Sequence, residues 1–214
     1  MLFRSLITEE SSTKISHVIS NDFGRYRFRC QTLRDAYEIA LLLRGRHQIG
    51  NACVALLIAE SLNVSRGAIE RGLAQAKWPG RLELVRGQPP LLLDGAHNTD
   101  GAANLRAFLD EHGQKPLTLI FGVMSDKAIA EIAGPLFSIA DLAIATQIDN
   151  PRAARPATIR EAMTALADRI ECVGGVRAAV AMAQARTPAS GLICACGSLY
   201  LIGEIKTTLA TGRE

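Results

Sequence analysis

Residues 91–98, Leu-Leu-Leu-Asp-Gly-Ala-His-Asn, end an apolar run on an acid and an imidazole, and a helical pattern follows at once. A buried strand gains nothing from finishing this way, so the residue types point to chemistry. Asp94 offers a carboxylate for a ribose hydroxyl, a metal ion or an ammonium group, and His97 offers a donor to phosphate or carboxylate. Gly95 and Ala96 let the backbone turn tightly between them. The structural alternative is that Asp94 caps the turn and His97 is an ordinary loop histidine.

Other residues carry comparable signals. Gly45-Arg46-His47-Gln48 leads into a helix on which Asn51 sits one turn in. Asparagine there costs helix propensity, and its amide suits an adenine edge; a bond to nearby backbone is the plainer use. Arg81 follows the Pro79-Gly80 break, where a permanently charged guanidinium can grip a nucleotide phosphate or make a surface ion pair of little value. Gly197-Ser198 closes the last strand pattern, making Ser198 a natural N-cap on the edge that holds Asp94, where it can meet a substrate carboxylate. Asp126, Lys127, Asn150 and Arg152 follow apolar strands on that edge and individually read as structural or solvated. No residues show metal-type clustering. The five cysteines, Cys30, Cys53, Cys172, Cys194 and Cys196, are an odd number without ligand spacing and read as free thiols.

Something must hold these groups in place. From residue 80, strand-length apolar runs at 90–94, 117–123, 142–147, 170–173 and 192–196 alternate with helical segments near 100–112, 127–137, 156–168, 174–186 and 198–210. Thr99 or Asp100 is the expected N-cap of the first of these helices. The alternation predicts an α/β fold, a mostly parallel doubly wound sheet built from right-handed βαβ units. Ligands of such sheets bind at the carboxyl ends of strands. Residues 1–79 differ: "KISHVIS", "RYRFRC" and "YEIALLL" read as strands, with helices expected at 47–62 and 65–76. That is a poor stand-alone domain and reads as the tail of something larger, expected to expose apolar sheet surface.

Bulk properties narrow the class. The 214 residues are 48% hydrophobic, enough for a substantial core. A net charge of +3, scattered and dominated by arginine, indicates neither nucleic acid nor an acidic membrane as partner. No apolar run approaches the ~18 residues of a membrane span, and the first twenty lack a signal-peptide core. A reduced, cytoplasmic setting is expected.

In order, "GRHQIGNA", "WPGRLEL", "LLLDGAHNTDGAANL", "FGVMSDKAI", "NPRA" and "CGSLYLIGEI" resemble the folylpolyglutamate synthase/dihydrofolate synthase branch of the Mur ligase superfamily, from about residue 20 onward. The resemblance implies a Mur ligase carboxy-terminal, Rossmann-like glutamate ligase domain at 80–214, preceded at 1–79 by the end of a central ATPase domain. It implies that ATP with Mg2+ phosphorylates a carboxylate of dihydropteroate or of a folate's glutamate tail, and that the amine of L-glutamate displaces the phosphate. It places Asn51, Arg81 and Asp94 on ATP, and His97 and Ser198 on the nucleotide or the incoming glutamate. The family's phosphate loop ends Gly-Lys-Ser/Thr, yet no Gly-Lys dipeptide occurs here. The magnesium ligands and a modified lysine belong to that absent portion. The isolated chain is therefore expected to be inactive without an amino-terminal partner portion. Rival readings are a non-catalytic remnant binding nucleotide weakly, a cell-wall peptide ligase, and a dinucleotide oxidoreductase, the last lacking its Gly-x-Gly-x-x-Gly.

Overall fold

A computed structural model describes residues 12–211 of the chain, which divides into two compact units, residues 1–78 and 79–214. In the first unit, β1 (Lys14–Asn21), β2 (Arg25–Gln31) and β3 (Ala36–Arg44) form an antiparallel sheet in that order. Strict alternation drives it: Tyr26, Phe28 and Cys30 of β2 and Tyr37, Ile39 and Leu41 of β3 point inward, and the arginines between them point out. The inward faces pack against α1 (His47–Ser61) and α2 (Arg66–Gln75) through Ile49, Ala52, Cys53, Leu56 and Ile69. Glu60 is buried at this seam with its carboxylate accepting from the hydroxyls of Thr32 and Tyr37, both at 2.7 Å. Apolar surface does remain exposed. It lies on the sheet edge β1, at Val18 and Ile19, and also along α1, where Val54, Ile58 and Leu62 recur every fourth residue.

The second unit is a six-stranded sheet in the order β4-β5-β9-β6-β7-β8, parallel except for β4. Its elements run β4 (Glu83–Val85), β5 (Leu91–Leu93), α3 (Thr99–His112), β6 (Leu117–Phe121), α4 (Ile129–Phe137), β7 (Leu142–Thr146), α5 (Pro156–Glu161), β8 (Ile170–Val173), α6 (Val176–Arg186), β9 (Leu192–Cys196) and α7 (Leu199–Thr211). Every residue of β5, β6 and β9 is buried, as a sheet covered on both faces requires. Leu93, Ile120, Ile144, Ile193 and Ala195 meet α6 and α7 at Val176, Val180, Leu201, Ile202 and Ile205. The alternate residues face the other way, where Phe121 meets Phe137 of α4 edge to face at 5.3 Å. Helix α3 joins that layer, its Arg106 donating to the Pro135 carbonyl and the Ser138 hydroxyl.

Three local expectations need correction. The helix expected at 156–168 is two pieces, α5 and a 3-10 turn at Thr164–Arg169, because Met163 departs from helical geometry at ψ 46. Helix α3 is capped by Asn98, whose side chain accepts from the Gly101 amide at 2.8 Å, and not by Thr99 or Asp100. The edge strand β4 has no counterpart among the expected strands. Three residues are too few for a visible period, and pairing with β5 makes them a strand.

Candidate functional site

Topology selects one place in the second unit. Strand β9 sits between β5 and β6, and the helix that follows it, α7, covers the opposite face from α3 and α4, which follow those neighbours. Such a reversal opens a crevice beyond the carboxyl ends of the strands. Asp94 follows β5, Gly122 follows β6, and Gly197-Ser198 follows β9.

Asp94 organises this edge. Its amide continues the sheet by donating to the Ala195 carbonyl at 3.0 Å. One carboxylate oxygen accepts from the Leu82 amide and the other from the Ala96 amide, each at 2.9 Å. The residue is 6% exposed. Burial pushes its carboxyl above the ordinary value, opposed by those two amides and by the charges of Arg81 and His97. The bond to Leu82 holds strained backbone: Leu82, a branched residue, sits at φ 44 with its side chain 2% exposed. Left-handed geometry at such a residue costs about 1–2 kcal/mol. Asp94 therefore fixes the loop carrying Arg81, which is half-buried.

Close glycine contacts draw the remaining pieces together. The Gly95 amide donates to the Gly80 carbonyl at 2.7 Å. A Cβ on Gly95 would lie 2.4 Å from Leu199 Cδ2, so β5 and the start of α7 approach as only glycine permits. Gly197, at φ 110, brings its Cα over the Gly122 carbonyl, which a Cβ would meet at 2.5 Å. The buried Ser198 has its hydroxyl accepting from the Tyr200 amide at 3.1 Å, which makes it the cap of α7. The half-buried His97 has Nδ1 2.8 Å from the Gly95 carbonyl. A carbonyl only accepts, so Nδ1 carries the proton and Nε2 is left for another partner.

Arg81, Asp94, His97 and Ser198 thus share one edge of the second unit. Asn51 lies in the first unit, exposed on α1, and its convergence with the others is a proposal. Its amide donates to Gln48 Oε1 at 3.0 Å, and Gln48 Nε2 lies 3.0 Å from His47 Nε2. The amide is thus engaged by a neighbouring side chain rather than by backbone. At the ends of β6 and β7, Arg152 pairs with Asp126 at 2.9 Å, and the Ser125 amide donates to the Arg152 carbonyl, so these residues brace two loops against each other. Sequence reasoning missed Leu82 and Gly122. No pattern marks a leucine for left-handed geometry, and Gly122 matters only because Gly197 approaches it.

Among the described residues no group of three or more His, Cys, Asp or Glu side chains could hold a metal ion. No helix among them is long and apolar enough to cross a membrane.

A family model for the Mur ligase, glutamate ligase domain, matches residues 80–199. The chain belongs to this Mur ligase family. The resemblance to folylpolyglutamate and dihydrofolate synthases holds for its relatives. The chain is 33% identical over 181 residues to a probable bifunctional folylpolyglutamate synthase/dihydropteroate synthase of Haloferax volcanii, covering 83% of this chain and 22% of that protein. It is 36% identical over 135 residues to the dihydrofolate synthase/folylpolyglutamate synthase of Bacillus subtilis, covering 59% of this chain and 31% of that one. The Mycobacterium tuberculosis folylpolyglutamate synthase complexed with ADP and AMPPCP superposes with a TM-score of 0.82 at 27% identity, covering 92% of this chain and 48% of that one. This Mur ligase chain spans less than half the length of each of these relatives.

Proposed function

We propose that residues 80–214 form the glutamate ligase domain, and residues 1–79 the end of the ATPase domain, of an ADP-forming ligase. The ligase joins L-glutamate to dihydropteroate or to a folate through an acyl phosphate. The observation that carries this reading is the Asp94-centred edge, where a rigidly held Arg81 loop, a histidine with Nε2 free of the turn and the cap of α7 lie together.

Each residue then has a role its chemistry can fill. Asn51 contacts the adenine edge. Arg81 grips the nucleotide's phosphates. Asp94 holds the Arg81 loop and meets ATP through the lone pairs its two amide bonds leave over. His97 and Ser198 place the incoming glutamate: Nε2 of His97 faces its ammonium or carboxylate, and the Ser198 hydroxyl donates to a carboxylate while accepting from Tyr200. An unactivated carboxylate is a poor electrophile, and phosphorylation supplies the leaving group that the glutamate amine displaces. The phosphate-cradling loop and the magnesium ligands are supplied by a portion outside these 214 residues, and the reaction takes place in the cytoplasm.

The test is direct. The purified chain, given Mg-ATP, L-glutamate and dihydropteroate or tetrahydrofolate, forms no amide; a portion carrying the phosphate loop restores ADP release, and Arg81→Ala weakens nucleotide binding in that complex at least about tenfold, as loss of a charge-assisted contact implies. Amide formation by the chain alone overturns the two-part reading, and an unchanged Kd in Arg81→Ala overturns the site. A second reading is a non-catalytic remnant with weak nucleotide binding. It predicts that no added portion restores turnover.

A further inference from the structure

Cys30 and Cys53 take no part in the edge described above. Cys30 lies on β2, the middle strand of the three-stranded sheet, and Cys53 on α1, which packs over it. Both side chains are 0% exposed, and their Sγ atoms are 3.7 Å apart. A disulfide needs about 2.05 Å, so a relative approach of under about 2 Å closes the bond. The thiols of Cys194 and Cys196 also interact, but their backbone placement differs. Cys194 and Cys196 sit two residues apart on β9, where strand geometry separates their Cβ atoms by about 6.7 Å, outside the roughly 3.5–4.5 Å a disulfide accepts. Cys172 is exposed on β8.

We propose that Cys30 and Cys53 are a covalent modification site, a buried dithiol that a peroxide-class oxidant converts into a disulfide tying β2 to α1. One thiolate attacks a peroxide oxygen, breaking the O–O bond and leaving a sulfenic acid and hydroxide. The second thiolate attacks that sulfur, forming the S–S bond and expelling a second hydroxide. The protons released by the two thiols convert both hydroxides to water, so hydrogen peroxide gains the two electrons that the sulfurs lose. Burial keeps the thiols out of reach until the unit opens locally, which makes closure slower than oxidation of the exposed Cys172. Once formed, the bond closes a loop between residues 30 and 53 and restricts the unfolded chain. It also fixes the helix bearing Asn51, two residues before Cys53. The inference rests on thiol geometry and is independent of the ligase reading.

The full chain is incubated with excess hydrogen peroxide, denatured, blocked with N-ethylmaleimide and digested without reductant for mass spectrometry. The expected product is a cross-linked pair of peptides holding Cys30 and Cys53, two hydrogens lighter than the reduced pair. The first unit's thermal midpoint rises by about 5–10 °C, falls back with dithiothreitol, and does not rise in Cys53→Ser or Cys30→Ala. Because the cross-link is read in the unaltered protein, the outcome does not depend on the variants folding. Recovery of Cys30 and Cys53 as separate maleimide adducts or separate sulfinic acids, in samples where Cys172 is oxidised, overturns the proposal.

Discussion

A single carboxylate, Asp94, ties the loop carrying Arg81 to the end of β5 and thereby to the stability of the second unit. It gives two buried backbone amides their partners and holds Leu82 in left-handed backbone. Asp94→Ala leaves the amides of Leu82 and Ala96 unpaired, and its expected cost is about 3 kcal/mol in urea denaturation. The cost depends on pH with a definite sign. Burial raises the folded-state carboxyl above the ordinary 3.8, so the folded state holds the proton more tightly than the unfolded chain. The stabilisation from that shift is complete below about pH 4 and is lost as pH rises through the folded value. The difference between wild type and Asp94→Ala should therefore be largest in acid and shrink toward neutrality; a difference that grows with pH contradicts the burial argument. Tyr37→Phe tests a second buried carboxylate, that of Glu60. It removes one of the two hydroxyl donors to Glu60 and should destabilise the first unit by about 2 kcal/mol in the same assay.

At the scale of elements, close approach sets the site, and glycine permits it. Gly95 lets β5 meet α7, and Gly197 lets the end of β9 pass over the Gly122 carbonyl. The two contacts should respond differently to an added methyl. In Gly95→Ala the obstacle is the end of the Leu199 side chain, which can rotate, so about 1–2 kcal/mol is expected. In Gly197→Ala the obstacle is backbone, and φ 110 disfavours any side chain, so about 3 kcal/mol or more is expected. Chemical denaturation of both variants that finds the reverse order would show the wrong contact limits the edge. Helix α3 with its Asn98 cap, and α7 with its Ser198 cap, then project their first turns from the same sheet edge.

For the whole molecule, the exposed apolar stripe on α1 is the feature that calls for a partner surface. Val54, Ile58 and Leu62 are 45%, 56% and 70% exposed and lie on one helical face. Contiguous surface of this kind binds hydrophobic dye and promotes association. Replacing Ile58 and Leu62 together by glutamate should lower dye fluorescence and self-association without changing the melting temperature, because neither side chain is in the core. Unchanged dye binding would place the sticky surface elsewhere.

The alternation of apolar runs with helical segments was enough to state the doubly wound sheet, since burial on both faces leaves a pattern that local sequence carries. The positions of Asp94, His97 and Ser198 beyond the carboxyl ends of strands were also legible, because each comes soon after an apolar run. Strand β4, the Asn98 cap and the broken 156–168 helix were not legible, since each is decided by a neighbour and not by its own residues. The sequence determined which groups stand at the ends of the strands. Only the tertiary structure decided that β9 inserts between β5 and β6 and that Leu82 turns left-handed to reach Asp94, because non-local pairing and backbone strain held by a distant carboxylate leave no trace in any single segment.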